Sequence, residues 1–387
     1  MDMELTQKQK EAKGEFKAFV DEHLMPNAEK YDQEERLPQE ELIDKLAQKG
    51  YLGAIVPKAY GGSEMDMLTF GLLCEEIGRA SLSVISLLTV HGMVCQALIK
   101  WGTEEQRSLW LPRLASGEAV AAFGLTEPDI GSDAKNVQTR AVHSGNSYIL
   151  TGRKKWISCG QIAKVFLIFA SLEDRPAAFL VERGTEGFST TPIRGMLGFR
   201  AAMLAELEMN DCPVPEGNIV GRAGFGFSHV AGSALDHGRY CVGWACVGLA
   251  QGCLDACIQY TNARMQFGVL LRKHQLIQQM IAEMITNIKA ARALCYHAAY
   301  LKDTGSPDMI MEASIAKYFC SQVAVRAASD AVQIHGANGC SSEYPLQRYL
   351  RDAKITEIIE GSSQIQQLII SQYGYQEFLY KRKRTRE

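Results

Sequence analysis

The segment from His229 to Arg264, HVAGSALDHGRYCVGWACVGLAQGCLDACIQYTNAR, contains no proline and carries small or apolar side chains on nearly every turn. A helix this long and this apolar is stable only when other elements cover it. Two further segments can do so. HQLIQQMIAEMITNIKAARALCYHAAYL follows at once, and SPDMIMEASIAKYFCSQVAVRAASDAVQIHGANG opens on Ser306-Pro307, a suitable N-cap and N1 pair, and closes in glycines. Long amphipathic helices joined by short loops predict an antiparallel bundle over residues 227–387.

Residues 1–117 also read as helices. Thr6 is a plausible N-cap for a segment with Phe16, Phe19, Val20 and Leu24 at helical spacing. Pro38 starts a second helix that ends at Gly50, PKAYGGS is a loop, and LTFGLLCEEIGRAS begins a third helix. Between 118 and 226 the texture changes to short runs such as YILTGRKKWIS, KVFLIFASL and AAFLVERG. These are rich in β-branched and aromatic residues and punctuated by Gly, Asp and Pro, as in an antiparallel β domain. The order is α, β, α, without an internal repeat or long linker.

Of the 387 residues, 47% are hydrophobic and 22% charged, the balance of a soluble globular protein with ample core. A net charge of −3 provides no field for nucleic acid. The basic run Lys381–Arg386 reads as a solvated terminus. The 11 cysteines form no CxxC pair and no cluster with histidine at zinc spacing, so reduced core thiols are expected and no metal. The polar N-terminus and the expected lack of a run near the ~18 apolar residues of a membrane span predict a cytoplasmic protein with no membrane partner.

Several stretches mix groups that bind or react. GLTEPDIGSDA (124–134) exposes backbone N–H groups and hydroxyls that suit a polar ligand, or it is an acidic turn. KKWIS (154–158) places Trp156 and Ser158 two apart, on one face of a strand, where a flat ring beside a hydroxyl would suit a flavin or simply fill a core. GFGFSH (224–229) lacks the third glycine and preceding strand of a dinucleotide fingerprint. In EIIEGSSQIQ (357–366) two acids, Glu357 and Glu360, flank two isoleucines at a chain reversal, and a buried acid is costly unless paired or used.

Taken together, LTEPDIGSD, KKWIS, RMQFG with Gln275 eight residues on, QIHGANG and IIEGSSQIQ resemble, in order and spacing, the acyl-CoA dehydrogenase family. The resemblance runs from GYLGAIVPKAYGG near residue 50 to the last helix. It implies an acyl-CoA dehydrogenase-like fold: an N-terminal all-α domain (1–117), a middle β-barrel domain (118–226) and a C-terminal four-helix bundle (227–387). It also implies FAD as cofactor and a homotetramer or homodimer. Leu125, Thr126, Gly131 and Ser132 would line the flavin and its phosphates, with Ser132 also near substrate. Trp156 would pack near the ring and Ser158 bond near N5. Arg264, Phe267 and Gln275, with Gln333 and Gly336, match residues that hold the adenine half across a dimer interface, and Ser362 and Gln364 match the last FAD contacts.

In the family signature YEGT-QIQ the glutamate before glycine is the catalytic base, so the resemblance makes Glu360 the base and Glu357 a structural or surface acid. Desaturating an acyl thioester removes a weakly acidic α proton and sends a hydride from the β carbon to the flavin. Asp236 and Arg239 match residues that bind the pantetheine arm, or form an i,i+3 ion pair. Ile359 replaces the usual tyrosine, Gln367 stands where many members have arginine, and His91 puts a polar group in the pocket roof or is a core histidine. The texture of GRKKWISCGQIAKVFL and LDHGRYCVGWACVGLAQG resembles the branch acting on small polar acyl groups held by acyl carrier proteins in polyketide and nonribosomal peptide pathways. An electron-transfer flavoprotein is a possible acceptor. The alternatives are an ordinary short-chain acyl-CoA dehydrogenase, a flavin oxidase or monooxygenase, and a DNA-binding flavoprotein of the same fold.

Overall fold

A computed structural model of the chain describes residues 4–384, with side chains through Phe378. The side chains of Lys381–Arg386 therefore lie outside the described residues. The helices are α1 (Gln7–Phe19), α2 (Ala28–Glu34), α3 (Gln39–Gln48), α4 (Met67–Ala80), α5 (Leu82–Trp101), α6 (Glu104–Ala115), α7 (Gly232–Ala263), α8 (Gln275–Asp303), α9 (Met309–His335), α10 (Leu346–Thr356) and α11 (Ser363–Arg384). Between α6 and α7 run strands β1 (Ala121–Gly124), β2 (Arg140–Ser144), β3 (Ser147–Ile157), β4 (Val165–Leu172), β5 (Arg175–Glu182), β6 (Phe188–Pro192), β7 (Ala205–Pro215) and β8 (Ile219–Val220). Backbone contacts gather the chain into two compact units that interleave in sequence. Among the described residues, one holds 4–29, 67–82 and 239–384, the other 30–66 and 83–238.

In the first unit Thr6 caps α1 as its sequence suggests, its hydroxyl accepting from the Gln9 N–H at 3.3 Å while the Gln9 side chain accepts from the Thr6 N–H at 3.0 Å. Helix α1 packs on α4, α4 on α8, α8 on α9, and α9 on both α10 and α11. Helices α4 and α7 approach so closely that a Cβ on Gly248 would lie 1.9 Å from the Glu75 carbonyl oxygen. Asp303 at the end of α8 accepts from the Met67 and Leu68 N–H groups at 2.7 and 3.3 Å, satisfying orphan donors of α4. Glu75 on α4 is buried and meets Arg292 at 2.9 Å and Lys13 at 3.3 Å.

The second unit carries the sheet. Its strands pair in the order β6-β7-β3-β2-β4-β5-β8, with β1 also on β4. Most pairings are antiparallel, but β1 and β2 both run parallel to β4, which departs from the antiparallel expectation. Residues 121–124 pair with 165–168, and residues 140–141 with 171–172. The two short strands thus lie in succession along β4, and the chain between them, residues 125–139, must leave the sheet as a loop. That interruption is the GLTEPDIGSDA segment.

Helix α5 and the continuous helical run Gly226–Ala263 are long and apolar enough, by length and composition, to cross a membrane, contrary to the expectation that no run comes near. Most of their residues are buried within the protein, so the apolar surface is core. All 11 cysteines are free thiols, and ten are buried.

Candidate active site

In the first unit, α10 ends at Thr356 and α11 starts at Ser363, and the reversal between them holds both acids. The turn stays open because Glu360 and Gly361 are left-handed, with φ of 54° and 90°. A left-handed non-glycine residue costs of order ~1–3 kcal/mol and persists only where surrounding contacts hold it. Three helices supply such contacts. The Arg239 Nε of α7 donates to the Glu360 carbonyl oxygen at 3.3 Å, and the Gln366 Nε2 of α11 donates to the same oxygen at 3.0 Å. The Lys317 Nζ of α9 donates to the Gly361 carbonyl oxygen at 2.8 Å, which Gln366 also approaches at 3.3 Å.

The two acids are treated differently. Glu357 is paired with Lys354 one turn back on α10 at 2.6 Å, and its carbonyl oxygen accepts the Ser363 N–H at 2.9 Å. Glu360 is half-buried at the tip of the turn. Ile358, one of the two isoleucines between the acids, is exposed, while Ile359 is half-buried. Ser362 accepts from the Ile365 N–H at 3.4 Å and so opens α11, and Gln364 projects into solvent. Lys317 and Gln366 are wholly buried. Burial pushes the Lys317 ammonium down to about 8, although the nearby Cys246 and Glu360 act to raise it.

Neither Lys317 nor Gln366 is among the residues that sequence reasoning singles out for function. The signal for Lys317 is present: Ala313, Lys317, Cys320 and Ala324 form a stripe at helical spacing, and all four are buried. A lysine on such a stripe demands a reason, since lysine is almost never fully buried without one.

Arg264, Phe267, Gln275, Gln333 and Gly336 are all exposed in the first unit. Met265–Gln266 and Val269–Leu270 form a two-stranded hairpin, β9 and β10, whose turn residues Phe267 and Gly268 have φ of 53° and 78°. Two left-handed central residues are the signature of a type I′ turn, and this one holds the Phe267 ring 94% exposed. Near the end of α7, Tyr260 stacks on His335 with ring centroids 4.1 Å apart and accepts from Asn338 Nδ2 at 2.9 Å. That contact brings the hairpin's helix to the end of α9, where Gln333 and Gly336 lie.

In the second unit the 125–139 loop is closed at its neck. The buried Glu127 carboxylate accepts from the Gln138 and Thr139 N–H groups at 2.5 and 2.9 Å, from the Thr139 hydroxyl at 2.6 Å and from Lys154 Nζ at 2.7 Å. Lys154 also donates to the Leu125 carbonyl oxygen at 3.3 Å, and the Lys155 N–H to that of Thr126 at 2.9 Å. Burial pushes Lys154 down to about 8 against the pull of Glu127. Burial acts to raise the Glu127 carboxyl, but Lys154 and the loop donors hold it below the usual carboxylate range. Leu125 is buried, Thr126 half-buried, and Gly131 and Ser132 exposed.

Trp156 does not share a regular strand face with Ser158 as expected. Its φ of 63° coincides with the register shift between Lys154 and Ile157, and this bulge breaks the alternation. The indole is left 46% exposed with the Lys155 ammonium 4.9 Å from its centroid, while the half-buried Ser158 accepts from the Ser86 hydroxyl at 3.2 Å. An exposed planar ring, a loop with open space beyond Gly131, and the hydroxyls of Thr126, Ser132 and Ser158 fit an aromatic, phosphate-bearing group such as FAD.

His91 lies on α5. It is wholly buried in the second unit, with Nδ1 accepting the Ala121 N–H at 3.3 Å, and burial drives it down to about 4. The neutral imidazole is tied to a strand backbone through Nδ1, and its Nε2 is buried as well. Asp236, on the same unit, is buried near the start of α7, and Arg239 is half-buried on that helix.

Comparison with known proteins adds three matches of family models: the acyl-CoA dehydrogenase N-terminal domain over residues 6–118, the middle domain over 122–212 and the C-terminal domain over 224–374. The chain is 40% identical over 378 residues to the acryloyl-CoA reductase (NADH) of Anaerotignum propionicum, covering 96% of this chain and 95% of that protein. It superposes on the butyryl-CoA dehydrogenase of Megasphaera elsdenii with a TM-score of 0.92 at 35% identity, covering 96% and 99% of the two chains. The prolyl acyl carrier protein oxidase AnaB superposes with a TM-score of 0.91 at 30% identity, again covering 96% and 99%.

Proposed function

The chain belongs to the acyl-CoA dehydrogenase family, and on that premise we propose that Glu360 is the base of an FAD-dependent oxidation of an acyl thioester between its α and β carbons. The enzyme is an oxidoreductase acting on a CH–CH group. The observation that carries the assignment of Glu360 is its left-handed backbone, held at the tip of a turn by donors from three helices, while Glu357 is paired with Lys354. A base must be held within reach of the proton it takes, and Glu360 is the acid so held.

FAD, when bound, supplies the two-electron acceptor. Trp156, Thr126, Gly131, Ser132 and Ser158 would hold its flavin and phosphates, with Glu127 and Lys154 fixing the loop that carries them. Arg264, Phe267, Gln275, Gln333 and Gly336 would meet the adenine half, and Ser362 and Gln364 would complete its contacts. Glu360 takes the α proton, and a backbone N–H beside it polarises the thioester carbonyl. Asp236 and Arg239 would bind the pantetheine arm.

The acyl carrier divides into two readings. The 35% and 40% identity to proteins named for CoA esters supports the CoA thioester of a small acyl group. The 30% identity to a prolyl acyl carrier protein oxidase supports the second, a small polar acyl group on a carrier protein. The deciding experiment mixes FAD-loaded enzyme anaerobically with one acyl group carried on CoA and on a carrier protein, at two ionic strengths. Carrier docking through complementary charge would weaken as salt rises. Faster bleaching of the flavin by the CoA ester returns the enzyme to acyl-CoA metabolism. Bleaching only by the carrier form, lost at high salt, selects the second reading. Glu360→Gln should keep bound FAD but lose ~10²–10⁴-fold in bleaching rate. Normal bleaching by Glu360→Gln, with loss in Glu357→Gln, would overturn the base.

A further inference from the structure

We infer that Lys317 is a positioning residue for the reaction: its buried ammonium, bonded to the Gly361 carbonyl oxygen at 2.8 Å, sets the left-handed turn that aims Glu360 and places a cation next to that residue. The inference rests on Glu360 being the base. Three observations carry it. Lys317 is wholly buried on the stripe that α9 presents to its neighbours, where methionine or leucine would pack with no desolvation cost. Its bond, among the described residues, goes to a backbone carbonyl rather than to a carboxylate, so no ion pair explains the charge. That carbonyl belongs to the glycine immediately after Glu360, so the bond fixes the Gly361–Ser362 peptide at the far side of a turn in which both Glu360 and Gly361 are left-handed.

The turn has two other donors, Arg239 and Gln366, and both reach the Glu360 carbonyl. Lys317 differs from Gln366 in carrying charge and from Arg239 in being wholly buried. The groups that act on Lys317 are Cys246 and Arg239 on α7 and Glu360 and Glu357 on the turn. Burial pushes the Cys246 thiol up to about 12, so it stays neutral. Glu357 is engaged by Lys354. Glu360 adjoins the glycine whose carbonyl Lys317 bonds and acts on the Lys317 charge, and a cation near a carboxylate favours its ionised form. The ammonium thus acts in two separable ways, through its hydrogen bond on geometry and through its charge on ionisation.

Two substitutions separate them. Lys317→Met removes donor and charge, and Lys317→Gln removes the charge while keeping an N–H donor on a side chain one atom shorter. FAD-loaded proteins are compared by hydrogen exchange of the peptide spanning 357–366 and by the pH dependence of flavin bleaching by butyryl-CoA, with flavin absorbance and melting temperature as folding controls. Lys317→Met should exchange faster in that peptide and bleach ~10²-fold more slowly. Lys317→Gln, with a donor that reaches less far, should regain part of the exchange protection. In both variants the acid limb of the pH profile should move to higher pH, because the charge favouring the carboxylate is gone. A purely structural lysine would lower rates without moving that limb. Unchanged exchange in Lys317→Met, or an unmoved acid limb in both variants, would overturn the inference. Should the methionine variant fail to load FAD, the limb in Lys317→Gln decides alone. The exchange readout needs no turnover, so it stands even if butyryl-CoA is a poor substrate. Normal bleaching by Glu360→Gln would refute the base itself, a result distinct from either failure.

Discussion

A Cβ added to Gly361 would stand 2.7 Å from the Nε2 of Gln366, the amide that bonds the Glu360 and Gly361 carbonyls. Glycine is therefore required twice over, by its φ of 90° and by the side chain folded against it. Gly361→Ala should fold and load FAD, because the strain of ~1–3 kcal/mol is local. Gln366 must shift, however, and Glu360 with it. We expect flavin bleaching to slow by ~10²-fold, measured by anaerobic stopped flow, with near-normal flavin absorbance.

The buried pair of Lys154 and Glu127 predicts a pH-dependent cost. Lys154→Met leaves the Glu127 carboxylate buried with only its loop donors, and breaking such a pair costs about 3–5 kcal/mol. The loss in melting temperature should shrink as pH falls, because protonating Glu127 removes the unpaired charge. The 125–139 loop should also hold FAD less tightly, which flavin fluorescence on dilution reports.

His91 predicts acid sensitivity of the opposite origin. Held down to about 4 when folded, against 6.5 ordinarily, it binds a proton in the unfolded chain first. Stability is present above the unfolded value and is lost as pH falls from 6.5 towards 4, by about 3 kcal/mol in all. His91→Asn keeps an acceptor for the Ala121 N–H and cannot titrate. Urea unfolding across that window should show a flatter pH slope in the variant, whatever its absolute stability.

The hairpin that presents Phe267 depends on Gly268, whose φ is 78°. Gly268→Val should disorder residues 264–271 without lowering the global melting temperature, since these side chains are mostly exposed. Faster proteolytic cleavage there, together with weaker FAD retention, is the expected result. Unchanged FAD retention in a cleaved hairpin would remove Phe267 from the cofactor's neighbourhood.

Much of the local structure was legible in the residues. Thr6 with Gln9 spells a capping box, Pro38 opens α3, and Gly50, with φ of 71°, follows its end. The change from helical to alternating patterns falls in the gap between Ala115 and Ala121, and the return in the gap between Val220 and Gly226. Such signals are local: each is set by a residue's own φ preference or by neighbours within one turn. The motif order sufficed for the family because its glycines, amides and aromatic groups keep fixed spacing along the chain.

What the sequence by itself determined was therefore which helices and strands form, where loops must fall, and that an acid precedes Gly361 in a family signature. It did not determine that β1 and β2 share an edge of β4, that a left-handed Trp156 breaks a strand face, or that His91 is wholly buried. Nor could it show Arg239, Lys317 and Gln366 converging on two adjacent carbonyls. The physical reason is the acceptor: every residue has a backbone carbonyl, so nothing in the letters marks the two that count. Only the packing of three helices, brought together across more than a hundred residues of chain, decides which carbonyl a buried ammonium must face.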